Sequence, residues 1–390
     1  MKDAIYILDG MRTPLGSPFR SLKDFSAAQL GGYVVERLVN RNRIPPKTVE
    51  ELVLGNTVSA GLGQNLARQV VYLSGLPLTI PAYQVNGVCA SGLQAVILAT
   101  QTLLSFPRPG GMIVVGAESV SQAPHLVSNE DVQLGDKTEI DSVIHDGLRC
   151  MITGKHMGEL AEDMAHRHKI SRKMQDVYAR GSHRKAYQAR TDGCFIDEIV
   201  PVRIGKGKYL DYDERIREDV PLKQLAALPS VFRRGGYLTA GNSSHPCDGA
   251  AGVLLATEEM VKKYRCRPRA KVLCYASAAV SPKNTFADAA KMAIEKCLAQ
   301  SELKVKDVDL FEVGEAFAAQ AILTQNKLKI PDGKWNVWGG DIALGHPFGA
   351  AGLRILVTLL HALRRENKRR GVACVCAGGG MGLAIAIERV

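Results

Sequence analysis

The sequence predicts an α/β protein made of two copies of one strand and helix unit, with a large segment inserted between them. Three observations lead there: strands and helices alternate over the first 120 residues, the same pattern returns near residue 306, and the stretch between differs in composition. With 390 residues and 46% apolar content, the chain can bury one large core or two medium ones.

Taken in order, AIYILD (Ala4–Asp9) reads as a first strand and Ser26–Asn42 as a helix whose apolar positions fall at helical spacing. Leu52–Gly55 follows as a strand, Asn65–Ser74 as a helix and Pro81–Asn86 as a short extended run. From Ala90 to Gln101 there is no charged residue, and a helix apolar all round is normally buried in a large core. MIVVGAES (Met112–Ser119) closes the unit as another strand. Strands alternating with helices in this way predict a mostly parallel sheet covered by helices.

The unit recurs at a nearly constant offset. KTVEELVLGN (Lys47–Asn56) aligns with KDVDLFEVGE (Lys306–Glu315), 259 residues on (306 − 47). CASGLQAVILATQ (from Cys89) aligns with GAAGLRILVTLLH (from Gly349) at 260 (349 − 89), and GMIVVGAES (from Gly111) with GVACVCAGG (from Gly371) at 260 (371 − 111). The chain therefore divides into a first half over residues 1–120, completed by 250–268, an insertion over 121–249, and a second half over 269–390. If the halves pack about a pseudo-twofold axis, the helix starts near Cys89 and near His346–Ala350 face one point.

The insertion is rich in charge, Gly and Met. Its helix Ser171–Ala189 carries charge on most faces and is expected to be solvated surface. Arg217, Phe232 and the small residues Ala240–Ser244 suit a flat or extended ligand, or a purely structural loop.

Cys89 stands where the first N–H groups of a buried helix point, and that partial positive charge favours thiolate. Asn86, Ser91 and Gly92 offer polar caps and close backbone approach; a plain buried cysteine is the other reading. In GGDIALGHPFGAAG (Gly339–Gly352), His346 lies in a Gly-rich turn opening a helix, with Pro347 at an early helical position. A lone histidine is more often structural, yet the repeat sets this one opposite the Cys89 helix start. The last stretch, GVACVCAGGGMGLAIAIERV, is two strands joined by a glycine turn. Cys374 and Cys376 share a face there, and Cys376 sits beside Gly378–Gly380. Those glycines permit a close backbone approach or simply make a tight turn.

Other classes fit less well. Nine cysteines without a CxxC suit neither a secreted disulfide framework nor a zinc site, so no metal is expected. No apolar run is read as membrane-spanning, and the start of the chain shows no signal or presequence pattern, which predicts a cytoplasmic protein. The net charge of +11 is dispersed and accompanies no nucleic-acid-binding motif. A polyanionic small molecule, such as a nucleotide-bearing cofactor, accounts for it as well.

VNGVCASGLQAV, AGNSSHPCDGA, FEVGEAFA, GGDIALGHPFGAAGLRI and CAGGGMGLAIAIE resemble, in order and spacing, the signatures of the thiolases. The likeness runs from GMRTPLG to the last strand, and QNLARQVVYLSGLP, SQAPH and KHMGE are similar to thiolase sequence as well. Length and N-terminus resemble the acetyl-CoA acetyltransferase branch.

The resemblance implies a five-layered αβαβα fold with an inserted loop domain, a homo-oligomer (tetramer or dimer), and coenzyme A or acetyl-CoA bound as substrate without metal. It implies Cys89 as the nucleophile, His346 as its activator, Cys376 as the acid/base and Gly378 as an oxyanion donor. Coenzyme A contacts are implied at Leu148, His156, Met157, Arg217 near the adenine, Phe232, Ala240, Ser243, and Ser244 on the pantetheine arm. Ala316 and Phe317 are implied as the acyl-pocket wall.

Two departures stand out. Gly314 replaces an asparagine whose amide holds a catalytic water, and losing one such donor costs about 10²-fold in rate. Trp338 and Asp341 replace smaller or neutral residues and are expected to narrow or repolarise the pocket. The expected reaction is reversible Claisen condensation of two acetyl-CoA. The alternatives are a degradative 3-ketoacyl-CoA thiolase of broader chain length and a coenzyme A-binding protein without turnover. A decarboxylating ketoacyl synthase would carry a second histidine where Gly314 stands.

Overall fold

The computed structural model describes residues 4–105, 110–127, 129, 139–283 and 285–390; part of the insertion, 130–138, lies outside them. In chain order the first half supplies β1 (Ile5–Arg12), α1 (Ala27–Asn42), β2 (Val49–Gly55), α2 (Leu66–Leu73), β3 (Ala82–Val85), α3 (Ser91–Ser105) and β4 (Gly111–Glu118). The insertion carries α4 (Met157–Arg167) and α5 (Arg172–Thr191). After it come β5 (Gly249–Thr257), β6 (Ala270–Ala279), α6 (Phe286–Gln300), β7 (Leu310–Val313), α7 (Ala318–Leu328), α8 (Phe348–Arg365), β8 (Arg370–Ala377) and β9 (Met381–Arg389).

The nine strands hydrogen-bond in the order β7-β8-β9-β6-β1-β5-β4-β2-β3. Among the described residues, two residue pairs, Tyr6 with Lys271 and Ile7 with Ala270, join the two half-sheets. The expectation of a mostly parallel sheet is corrected here. Pairs β2–β4, β2–β3 and β7–β8 are parallel, whereas β1–β5, β5–β4, β6–β9, β8–β9 and the β1–β6 join are antiparallel. The glycine turn folds β9 straight back on β8, and β5 returns from the insertion to lie between β1 and β4.

Five layers result. Helices α1 and α2 cover one half-sheet from outside with Leu30, Val34, Leu38 and Val70. Helices α6 and α7 cover the other with Ile294, Leu298 and Ile322. Between the half-sheets lie α3 and α8, whose Leu93, Val96, Leu353 and Leu356 share one core with residues from both. The stretch Val88–Ser105 is in fact long and apolar enough to cross a membrane, contrary to the sequence reading, but here it is the middle layer of a packed core.

The middle helices meet at their first turns, where no side chain fits between the backbones. A Cβ at Gly92 would lie 2.7 Å from the Gly349 carbonyl oxygen, and one at Gly352 would lie 2.9 Å from the Leu93 nitrogen. Charge fixes the insertion to this body. Arg12, wholly buried on β1, pairs with Glu198 at 2.6 Å and with Asp213 at 2.6 and 2.8 Å. Helix α5 is not the solvated surface expected, because Gln175, Asp176, Ala179, Ser182 and His183 are buried; Ala179 packs on Ala318 and Ile342 of the second half, and Ser182 bonds Glu315 there.

Alanine is a better helix former than glycine by about 1 kcal/mol. Gly92→Ala is nonetheless expected to destabilise the protein by about 1–3 kcal/mol, because the added methyl meets backbone that cannot move aside. Denaturant unfolding of the two proteins gives the sign.

Candidate active site

The turn into α3 presents Cys89, which is half-buried. Val88, just before it, has φ +55°, a conformation that costs a β-branched residue of order 1–3 kcal/mol. Hydrogen bonds hold it there. Val88 N donates to Asn86 Oδ1 at 3.0 Å, and the Val88 carbonyl accepts from Thr57 Oγ1 at 3.0 Å, Ser91 N at 3.0 Å and Ser91 Oγ at 2.5 Å. The caps therefore fix the direction in which the cysteine emerges.

His346 reaches the same place from the second half. The short helical turn Asp341–Leu344 ends at Gly345 with φ +115°, and His346 N donates to the His245 carbonyl at 2.9 Å. Its Nδ1 lies 3.2 Å from Asp341 Oδ2. Arg354 of α8 donates to Asp341 Oδ1 at 2.5 Å and to Glu312 Oε1 at 2.9 Å. Nε2 is buried without a partner among the described residues and is the ring nitrogen left for the cavity.

The electrostatics follow from this geometry. Burial alone would lower the His346 pKa, but the Cys89 sulfur and the Asp341 carboxylate overcome it and raise it to about 10. Burial alone would raise Asp341; Arg354 and His346 instead hold it down to about 2. Cys376 is not tuned toward neutrality: burial first, then the Cys89 sulfur and Asp341, push its thiol up. Gly378 abuts the turn that carries Cys89, since a Cβ on it would lie 3.6 Å from Val88 Cγ1.

Cys89 from the first half and His346, Cys376 and Gly378 from the second thus line one cavity of about 240 Å³. Its outer wall comes from the insertion through Leu148, His156, Met157, Phe232, Ala240, Ser243 and Ser244, and Ala316 and Phe317 face them. The wall is a run of rings. His156 stacks on Phe232 at 5.0 Å, Phe232 meets Phe317 edge-on at 6.0 Å, and Phe317 meets Phe286 at 6.2 Å. His156 also begins α4, its Nδ1 accepting from Gly158 N at 3.0 Å. Ser244 N donates to the Ala316 carbonyl at 3.0 Å, which stitches the insertion to the second half, and Ser243 Oγ is buried without a partner among the described residues.

Three sequence-selected residues lie elsewhere. Arg217 is exposed and does not line the cavity; its backbone N–H donates to His183 Nδ1 at 3.4 Å. Trp338 does not narrow the pocket: it packs edge-on against Phe195 and donates to Glu366 Oε1 at 3.1 Å. Asp341 is outside the cavity lining too, behind His346.

The sequence reading missed Glu118, at the end of β4. Its carboxylate accepts from Asn56 Nδ2 at 3.0 Å, Thr57 N at 3.0 Å, Val58 N at 3.1 Å and Gly349 N at 2.9 Å, so it binds the start of α8 to the first half. It also missed Glu315, which accepts from Tyr178 Oη, Ser182 Oγ and Asn336 Nδ2, each at 2.8 Å, and so seats α5 beneath the site. A charge closing an otherwise apolar strand was the available signal for Glu118. No cluster among the described residues suits a metal ion.

Burial pushes Glu118 from the ordinary 4.5 up to about 7, against the N–H groups that favour its charge. A carboxyl raised on folding contributes stability that is complete below 4.5 and lost as pH rises through 7. Glu118→Gln is expected to flatten the stability profile over that window, and to cost about 1–3 kcal/mol or more, because each carboxylate oxygen accepts from two donors and the amide NH2 would leave two of them unpaired. Thermal melts from pH 4 to 8 measure both.

Comparison with known proteins agrees with this architecture. The family model for the thiolase N-terminal domain matches residues 5–259 and that for the thiolase C-terminal domain residues 266–389. A probable acetyl-CoA acetyltransferase of Escherichia coli (strain K12) is 41% identical over 394 residues, 100% of each chain. A probable acetyl-CoA acyltransferase of Staphylococcus aureus (strain COL) is 39% identical over 97% of each chain. Among solved structures, the Acat5 thiolase of Ascaris suum in complex with coenzyme A superposes with a TM-score of 0.93 at 37% identity, covering 99% of this chain and 100% of that one. The human mitochondrial 3-ketoacyl-CoA thiolase in complex with CoA does so with 0.94 at 35%, covering 100% and 98%. Matched along its whole length in sequence and in fold, this chain belongs to the thiolase family of acyltransferases.

Proposed function

We propose that the protein catalyses reversible condensation of two acetyl-CoA to acetoacetyl-CoA and coenzyme A through a thioester on Cys89. The observation that carries this reading is the convergence of Cys89, His346 and Cys376 on one ring-walled cavity. In the first half-reaction the Cys89 thiolate attacks the thioester carbonyl, the carbon–sulfur bond to coenzyme A breaks, and Cys376 gives its proton to the departing thiolate. In the second, the Cys376 thiolate removes an α-proton from another acetyl-CoA. The resulting carbanion attacks the acetyl carbonyl on Cys89, and Cys89 leaves as thiolate.

The two sulfurs suit this alternation. While Cys89 is negative it helps keep Cys376 protonated, and acylation removes that influence just when Cys376 must become a base. The N–H groups of Cys89 and Gly378 would receive the tetrahedral oxyanion. Coenzyme A would lie along His156, Met157 and Leu148, with the unpaired Ser243 Oγ toward the pantetheine amides and Arg217 outside toward the adenine. The rings of Phe232, Phe286, Phe317 and Phe348 support a short acyl group. The likeness to a 3-ketoacyl-CoA thiolase structure keeps longer-chain thiolysis as the second reading.

We also assign the chain to a homo-oligomer. Strand β3 is one of the two end strands of the sheet, and Tyr72, Leu78 and Tyr83 beside it are 70%, 57% and 38% exposed. Sedimentation should give a mass above that of one 42.2 kDa chain; a monomer overturns the assignment.

Incubation with acetyl-CoA should leave one acetyl group on the peptide bearing Cys89, and thiolysis should be faster on acetoacetyl-CoA than on longer 3-ketoacyl-CoA. Cys376→Ser should keep the label and lose about 10²–10⁴-fold in condensation. Faster thiolysis of long chains selects the degradative reading, and label without turnover a binding protein. An unlabelled Cys89 overturns the covalent route.

A further inference from the structure

We infer that Asp341 is a positioning residue that holds the His346 imidazole oriented and charged through the acyl-enzyme stage, standing in for the side chain that residue 314 lacks. The inference rests on the acyl-transfer reading of the site.

The geometry carries it. A Cβ on Gly314 would lie 3.4 Å from Asp341 Oδ2, 3.4 Å from Ile355 Cδ1 and 3.6 Å from Val375 Cγ2, so the Asp341 carboxylate is the polar group among those that close the space in front of the glycine. The carboxylate is held on every side: Oδ2 accepts from Glu315 N at 3.0 Å and faces His346 Nδ1 at 3.2 Å, while Oδ1 takes Arg354 at 2.5 Å. Asp341 and Arg354 are both fully buried, so the carboxylate cannot turn to water. With Nδ1 engaged, Nε2, which has no hydrogen-bond partner among the described residues, is the ring nitrogen left for the cavity.

The groups around the imidazole decide when this matters. Cys89 approaches from the α3 turn and the Phe348 ring lies edge-on at 5.8 Å, while Cys376 of β8 lines the same cavity. Behind Asp341 stand Arg354, Glu312 and Glu315, and Glu118 holds the start of α8. Of the two negative groups that support the imidazolium, Cys89 ceases to be one on becoming a thioester, whereas Asp341 does not change during the cycle. His346 then still presents a charged N–H to the enolate oxygen of the second acyl group. A charge-assisted hydrogen bond is roughly twice as strong as a neutral one, which offsets the missing amide at residue 314.

The test separates this from the acyl-transfer reading by using protein that cannot turn over. In Cys89→Ala protein with labelled histidine, the His346 ring is titrated by NMR. A midpoint above the ordinary 6.5 is expected, and one at or below it overturns the inference without any Asp341 variant. Adding Asp341→Asn, which keeps an acceptor for Glu315 N, should lower that midpoint by at least one pH unit; an unchanged midpoint also overturns it. In otherwise intact enzyme, Asp341→Asn should lower kcat for condensation about 10²-fold and move its alkaline limb to lower pH, while the rate of Cys89 acetylation falls less than tenfold. Equal losses in both steps with an unmoved limb would mark Asp341 as merely structural. Failure of Cys89 to acetylate in wild-type protein would sink the reaction assigned above and leave the titration standing.

Discussion

The site depends on two buried helices that begin almost in contact. A cysteine from one half and a histidine from the other can share a cavity of about 240 Å³ only if α3 and α8 start side by side. Gly92 and Gly352 allow that by putting no side chain between them, and Gly349 lets the start of α8 close on the backbone at Asn56. Glu118 then locks the pair. One carboxylate accepts from the turn after β2 and from the first turn of α8, so the helix that follows His346 is capped by the half that carries Cys89. The strained Val88 persists because this rigid seat surrounds it.

Much of this was legible in the chain. A constant offset between Lys47–Asn56 and Lys306–Glu315, and between the stretches that begin at Cys89 and Gly349, implied two helix starts related by a pseudo-twofold. Periodicity located the helices that became α1, α2 and α3, and strand ends fell within a few residues. Strand direction was not legible. Alternation of strand and helix favours parallel pairing, yet β5 and β9 reach their places through the insertion and a hairpin, which local pattern does not encode.

The meeting of side chains was legible where backbone motif and repeat coincide, as at Cys89, His346 and Cys376, which line one cavity. They were obscured where long-range packing decides. Trp338 and Asp341 sit five residues or more before His346 in sequence, which suggested the pocket; folding turns the indole onto Phe195 and the carboxylate behind the imidazole. Helix α5 looked solvated because its polar residues are numerous, but Tyr178 and Ser182 among them reach Glu315 in the interior. Helical charge reads as surface only until a buried carboxylate on another element needs donors.

The ion triad at Arg12 has a further meaning for how such a protein can be altered. Detaching residues 121–249 as a module would strand a guanidinium in the core beside β1, or two acidic groups in the excised piece, and unpairing a buried ion costs about 3–5 kcal/mol. Recombination between distant relatives should therefore respect Arg12, Glu198 and Asp213 as one inherited set. Substrate range is freer to drift at the rings facing the cavity than at the seam where the lobe is moored.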